Sequence, residues 1–446
     1  MQKQLFGTDG IRGVAGEYPL DPATVYAFGV ALGHDAVRAR PDAEILIGTD
    51  TRESGEWIAE MAAGGLKEAG ARVRYAGVVT TPGVAYLTRT GPFLAGLVIS
   101  ASHNPYQDNG LKVFAHNGFK LPDEEEAAVE REILRLRDAG VNPRPAALAT
   151  EDEWGGKYRD FLVSLATMRL DGVKLAMDCG NGAAYRLGPE IFRRLGAEVI
   201  ALSVEPNGKN INLECGALHP GRLQAAVAAS NADFGVAFDG DADRAIMAAG
   251  SGKMIDGDAV MLVLGRAMKA SGHLQQDIVV STVMSNLGLE KALESAGIRM
   301  VRTPVGDKYV LEEMVRLGAS LGGEQSGHVI LREFATTGDG ILTALRTIET
   351  ARAAGVGLDE LTADLRVYPQ KLVNVRVREK KSLTDIPSVA REIAHVETAF
   401  AGTGRVLVRF SGTEPLARVM VEGLDAQQVE NFSARIADAI RLAMGV

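Results

Sequence analysis

The chain has 446 residues, with 48 Lys and Arg against 57 Asp and Glu, for a formal net charge of −9. At ~150 residues per domain that length implies about three domains. The acidic balance argues against broad nucleic-acid binding, and 46% hydrophobic with 24% charged residues excludes wholesale disorder.

Glycine is 51 of 446 residues, above the usual ~7%, while aromatics are only 5%. This suits many strand–loop–helix turns and backbone-lined sites better than a large aromatic pocket. Only Cys179 and Cys215 are present, too few for a disulfide scaffold. The N-terminal Met-Gln-Lys-Gln-Leu-Phe-Gly has no apolar signal core, and no apolar run approaches the ~18 residues of a membrane span. A cytoplasmic location without membrane contact is expected.

In chain order, residues 8–13 read Thr-Asp-Gly-Ile-Arg-Gly, placing the cation Arg12 between glycines. Residues 45–48 predict a strand ending at Asp50, followed by a helix whose apolar face carries Trp57, Ile58, Met61, Leu66 and Ala69. A strand at 94–99 runs into Ser-Ala-Ser-His-Asn-Pro (100–105). Another at 174–177 ends in Asp-Cys-Gly-Asn-Gly, and one at 234–238 ends in Asp-Gly-Asp-Ala-Asp-Arg (239–244). Residues 278–283 and 300–305 repeat the theme. Residues 140–156 read as a linker, Gly250-Ser251-Gly252 marks a second break, and near 366–370 the pattern changes to strands and a terminal helix at about 426–443. The units are therefore 1–150, 151–252, 253–366 and 367–446: three α/β units with parallel or mixed sheets and an α+β tail. Ligands in such sheets gather beyond the carboxyl ends of strands, where these polar loops lie.

Asp239, Asp241 and Asp243 alternate directly after a strand. In an extended loop their carboxylates would share one side, offering hard oxygen ligands to Mg²⁺. A solvated acidic turn is the bland alternative, but an unneutralised trio would repel itself. An EF-hand is excluded, because Arg244 stands at its glycine position and Gly250 at its bidentate glutamate.

Ser102 reads either as part of an Asn-Pro turn or as a hydroxyl projecting into a cleft. Neighbours in an extended segment point to opposite faces, so His103 is not expected to serve as its base. Without a base, a serine can still carry a phosphoryl group if a metal and cations neutralise it. Lys112 could return on the next strand to face Ser102; alone, it or Arg12 would read as a surface charge. Glu324, Gln325, Ser326 and His328 form a polar loop suited to a polyhydroxylated ligand or simply a hydrophilic turn. Arg409-Phe410-Ser411-Gly412-Thr413-Glu414-Pro415 offers hydroxyls, backbone N–H groups and a guanidinium for a phosphate. There is no Walker A motif, and Gly180-Asn181-Gly182 lacks the third glycine of a dinucleotide site. The remaining histidines lack zinc-ligand spacing.

Taken together, the loops at 100–105, 239–244, 323–328 and 409–415 resemble, in order, the signatures of the α-D-phosphohexomutase family. The likeness runs from Phe6 to Gly423. Gln325 and Val-Gly-Asp-Lys-Tyr-Val at 305–310 resemble the family's bacterial glucosamine-phosphate branch rather than its mannose/glucose-phosphate branch.

The resemblance implies four domains around a central cleft and an isomerase that interconverts α-D-glucosamine 1-phosphate and D-glucosamine 6-phosphate, on the route to UDP-N-acetylglucosamine and the cell wall. Ser102 would be phosphorylated and act through a hexosamine 1,6-bisphosphate that serves as intermediate and activator. One Mg²⁺ would sit on Ser102, Asp239, Asp241 and Asp243. Arg12, Lys112 and Arg244 would surround the transferring group, with Lys112 or His103 moving the proton. Glu324, Ser326, His328 and Lys308 would face the sugar, and Arg409, Ser411, Gly412, Thr413 and Arg418 the other phosphate. The partner is a small phosphosugar, with a homodimer left open. A mannose/glucose phosphate mutase of the same mechanism, a metal-dependent phosphatase and a non-catalytic phosphosugar sensor are the alternatives.

Overall fold

The computed structural model describes residues 4–7, 9–379, 386–410 and 415–446. Among them four sheets form. The first contains β1 (Phe6–Gly7), β2 (Gly10–Val14), β3 (Glu44–Thr49), β4 (Arg72–Val78), β5 (Ala95–Ile99) and β6 (Asp108–Ala115), ordered β1-β2-β6-β5-β3-β4. The second contains β7 (Lys174–Asp178), β8 (Glu198–Leu202), β9 (Phe234–Phe238), β10 (Ala245–Ala249) and β11 (Met254–Ile255), ordered β11-β10-β9-β7-β8. The third, β12 (Ile278–Thr282), β13 (Arg299–Thr303), β14 (Leu321–Gly323) and β15 (Val329–Leu331), is ordered β13-β12-β14-β15. The last is antiparallel: β16 (Gln370–Arg376), β17 (Gly404–Phe410) and β18 (Leu416–Gly423), with β18 central.

The first three sheets share one plan. Three parallel strands (β4-β3-β5, β8-β7-β9, β13-β12-β14) are continued by one antiparallel strand, β6, β10 or β15. The parallel strands β5 and β9 are buried at every residue, as expected when helices cover both faces. The antiparallel connection in each unit is the loop that carries chemistry: 100–107, 239–244 and 324–328. Sequence periodicity finds these loops but not that they are the same turn repeated three times.

Packing fuses the three units. One apolar core runs from Leu46 and Phe114 through Tyr158, Phe192 and Phe238 to Leu262 and Leu345. The C-terminal unit keeps its own core, in which Phe400 and Ile436 pack with Val419. The second sheet extends through β11 to Ile255, three residues past the 252/253 break. No helix among the described residues is long and apolar enough to cross a membrane.

Candidate active site

Ser102 sits at the exit of β5 with φ +52°, in the left-handed region that L-residues rarely adopt. Two side chains from elsewhere hold it there. Arg52, fully buried, donates to the carbonyls of Ser102 at 3.0 Å, Asn104 at 2.8 Å and Asp108 at 2.9 Å, and to that of Pro105. Asn212, reaching from the second unit, donates to the carbonyls of Ser102 and Asn104 at 2.9 and 3.2 Å. Arg52 is itself fixed by Asp50 at 2.8 Å, which also accepts from the Ser100 hydroxyl.

This turn corrects the expectation drawn from an extended segment. The positive φ swings Ser102 and His103 to one side, bringing Ser102 Oγ within 3.4 Å of His103 Nδ1. Burial, then Arg244 and Arg12, push the imidazole down to about 4.

The Ser102 hydroxyl donates to Asp239 Oδ2 at 2.6 Å. Asp239, Asp241 and Asp243 offer carboxylate oxygens that all lie within 4.8 Å of one another. They converge by a turn, not by extension: Ala242 has φ +55° and its N–H returns to the Asp239 carbonyl at 3.1 Å. Gly240 is required, since a Cβ there would meet the Ser102 carbonyl at 2.5 Å. Burial and the neighbouring Asp243 and Asp241 raise the Asp239 carboxyl well above its usual range. Burial would raise Asp241 too, but Lys112 and the Thr81 hydroxyl outweigh it and hold that carboxyl low. Asp241 Oδ1 and Asp243 Oδ1 are buried without a hydrogen-bond partner. Three hard oxygen donors, two of them partnerless, fit a divalent cation.

Lys112 returns on β6, the strand beside β5, opposite Val98. Its buried ammonium meets Asp241 at 2.9 Å, Asp9 at 3.0 Å and Asp243 at 3.9 Å. Arg12 pairs with Asp9 and reaches toward the Ala101 carbonyl at 3.4 Å. The Arg244 N–H donates to Asp239 Oδ1 at 3.2 Å, and its guanidinium lies 3.8 Å from Asp243.

Of these groups Arg12, His103, Asp243 and Arg244 line a cleft of about 390 Å³ with Asp9, Gly306, Asp307, Glu324 and His328. Glu324 Oε1 accepts from the Gly306 N–H at 3.1 Å, and Ser326 is exposed beside it. His328 is buried: its Nε2 accepts from the Gly338 N–H at 3.1 Å, leaving Nδ1 without a partner. Lys308, expected at the sugar, is instead tied to Asp123 at 2.6 Å and to Glu312, outside the residues lining this cleft. Its helix turns it toward the neighbouring unit. Arg409 and Arg418 stand directly opposite on β17 and β18. Ser411, Gly412 and Thr413 lie outside the described residues. A larger apolar cavity, of about 790 Å³ between the helices Gly257–Ala270 and Gly340–Ala354, contains none of these groups.

Sequence reasoning missed Arg52, Asn212, Thr81, Lys120 and Asp307. For Arg52 a weak signal existed, since Asp50-Thr51-Arg52 follows a strand end; for Asn212 there was none.

The chain matches four domain families in order: Phosphoglucomutase/phosphomannomutase, alpha/beta/alpha domain I over residues 3–139, domain II over 157–252, domain III over 256–368, and the C-terminal domain over 372–439. A phosphoglucosamine mutase of Solibacter usitatus is 69% identical over 445 residues, covering 100% of both chains. One from Koribacter versatilis is 49% identical over 455 residues, covering 100% of this chain and 98% of its own. Among solved structures, a phosphoglucomutase/phosphomannomutase family protein from Burkholderia thailandensis superposes with TM-score 0.80 at 23% identity, covering 98% of this chain and 99% of that one. An Aspergillus fumigatus N-acetylphosphoglucosamine mutase, solved with GlcNAc-6P and magnesium, gives TM-score 0.68 at 18% identity over 100% and 96% of the two chains.

Proposed function

This chain belongs to the phosphoglucomutase/phosphomannomutase family of α-D-phosphohexomutases, its activity is phosphoglucosamine mutase activity, and from that premise we propose how its residues carry the reaction. The observation that carries the proposal is Ser102, held in a strained turn with its hydroxyl on the carboxylate cluster and its neighbour His103 at the cleft.

In its phosphorylated form Ser102 donates its phosphoryl group to the free hydroxyl of a glucosamine monophosphate. The P–Oγ bond breaks and a P–O bond to the sugar forms, giving the 1,6-bisphosphate. After the sugar turns over, the other phosphoryl group returns to Ser102 and the isomeric monophosphate leaves. The sugar hydroxyl gives up its proton as the new P–O bond forms, and Ser102 Oγ takes one up as P–Oγ breaks. His103, with Nδ1 3.4 Å from Oγ, is placed to carry that proton, and to return it in the reverse transfer. Lys112, pinned between Asp241 and Asp9, acts as a fixed cation with Arg12 and Arg244 around the transferring group.

Asp239, Asp241 and Asp243 would hold one Mg²⁺, together with an oxygen on Ser102, and the ion would neutralise charge on the phosphoryl group in transit. The partnerless oxygens of Asp241 and Asp243 support this, as does the magnesium in the Aspergillus relative. Glu324 and Ser326 grip the sugar hydroxyls. Arg409 and Arg418 stand directly opposite each other on β17 and β18, two guanidinium groups on one strand pair. With Ser411, Gly412 and Thr413 they would hold the phosphate that is not reacting.

The test compares kcat/KM on glucosamine 1-phosphate with that on glucose and mannose 1-phosphates. Preference for the amino sugar is expected. Faster hexose turnover would move the enzyme to the mannose/glucose branch, and phosphate release outpacing isomerisation would make it a phosphatase.

A further inference from the structure

Behind the cleft wall, the Lys120 ammonium bridges Asp9 of the first unit and Asp307 of the third. It is only 16% exposed and does not line the cleft, whereas both carboxylates do. Each carboxylate leads to a different end of the site. The other oxygen of Asp9 takes Arg12 and Lys112, the cations at the phosphoryl end. Asp307 begins the helix that follows Gly306, and the Gly306 N–H fixes Glu324 at the sugar end. Gly306 has φ +134°, a conformation open to glycine, so this loop has no stiff side chain of its own to set it.

Lys120 is itself seated by tertiary structure. It closes the hairpin after β6, bridged to Phe114, and that hairpin docks on the third unit through the Thr336 hydroxyl donating to the Gly118 carbonyl. Arg89 donates to the Phe334 carbonyl alongside.

We propose that Lys120 is a positioning residue for the mutase reaction: it locks the phosphoryl-binding cations and the sugar-binding Glu324 into one spacing across the seam between two domains. The inference rests on the mutase reading above. A sugar phosphate must be held in two orientations between the same two ends, so their separation matters in both half-reactions. Removing the bridge leaves Asp9 and Asp307 facing each other, and the sugar loop relaxes relative to Arg12. Misplacement of about 1 Å in a positioned substrate costs on the order of 100-fold in rate.

The experiment is a double-mutant cycle of Lys120→Met with Glu324→Gln, with Lys120→Arg as rescue and glucosamine 1-phosphate as substrate. We expect K120M to lower kcat/KM about 100-fold, K120R to restore it to within several-fold of wild type, and K120M/E324Q to be little worse than E324Q alone. If K120M does not fold, Asp307→Asn empties the other end of the bridge and takes its place in the cycle. K120M within threefold of an active wild type, or fully additive losses with E324Q, would overturn the proposal. A wild type that fails to isomerise would overturn the mutase reading instead, so the two failures are distinguishable.

Discussion

The hydroxyl of Ser102 donates to Asp239 Oδ2 at 2.6 Å, joining residues 137 positions apart, one in the turn after β5 and one in the equivalent turn after β9. The nucleophile candidate and the metal-site candidate thus lie in the loops that join the last parallel strand to the antiparallel strand in two units of the same plan. Phosphoryl transfer asks the protein mainly to position groups and neutralise charge. This arrangement does so with the backbone of one repeat and the carboxylates of the next.

Arg52 is the first place to test that positioning. It and Asp50 are fully buried, so Arg52→Met would leave Asp50 without its buried cation and remove the guanidinium's hydrogen bonds to four carbonyls of the Ser102 turn, two of which keep only Asn212. A loss of about 3–5 kcal/mol in unfolding free energy is expected, measured by urea denaturation. Asp50→Asn combined with R52M should recover part of that stability but none of the activity, because the turn still lacks its clamp. Full activity in the double variant would show that Ser102 does not depend on Arg52.

Metal removal gives a second outcome. Chelation should abolish isomerisation and added Mg²⁺ restore it. Mg²⁺ should also raise the Tm of the wild type by mass action on the folded state. In Asp241→Asn both responses should be lost. Activity that persists through exhaustive chelation would remove the metal from the account.

The helix Gly340–Ala354, whose first N–H binds the Ala242 carbonyl of the aspartate loop, predicts a pH dependence beside the site. Asp339 caps it through the Leu342 N–H and accepts from the Tyr158 hydroxyl, and burial raises its carboxyl to about 6 from 3.8. A raised folded-state value means the folded protein holds the proton more tightly. This contribution is therefore full below pH ~4 and is lost as pH rises through 6, a swing of about 3 kcal/mol. Denaturant unfolding of wild type and Asp339→Asn from pH 4 to 7 should show the two proteins diverging, with the variant gaining relative stability as pH rises. Parallel curves would show that Asp339 does not titrate in this window.

Much of the site was legible in the chain. Ser102 and the alternating aspartates follow strands whose apolar runs are plain, Lys112 lies on the strand after Ser102, and alternation of strand and helix announced α/β units. What escaped reading depends on tertiary convergence. Arg52 grips carbonyls some 50 positions away, and Lys120 meets Asp307 across 187. No local pattern marks either. His103 was misjudged for a different reason: the rule that neighbours diverge holds for extended backbone, and Ser102 is left-handed. Lys308 carried the right charge in the right segment, but its helix presents it to Asp123.

The most direct measurement follows one phosphoryl group. Intact-mass analysis of the purified enzyme should find a fraction carrying a single phosphate, mapped to Ser102 and absent from Ser102→Ala. Mixing that form with glucosamine 1-phosphate in a single turnover should move the phosphate onto the sugar as the 1,6-bisphosphate before any 6-phosphate appears. S102A should show neither transfer nor isomerisation. Isomerisation by S102A at the wild-type rate, or 6-phosphate formed without the Ser102 phosphate first passing to the sugar, would contradict the phosphoserine mechanism.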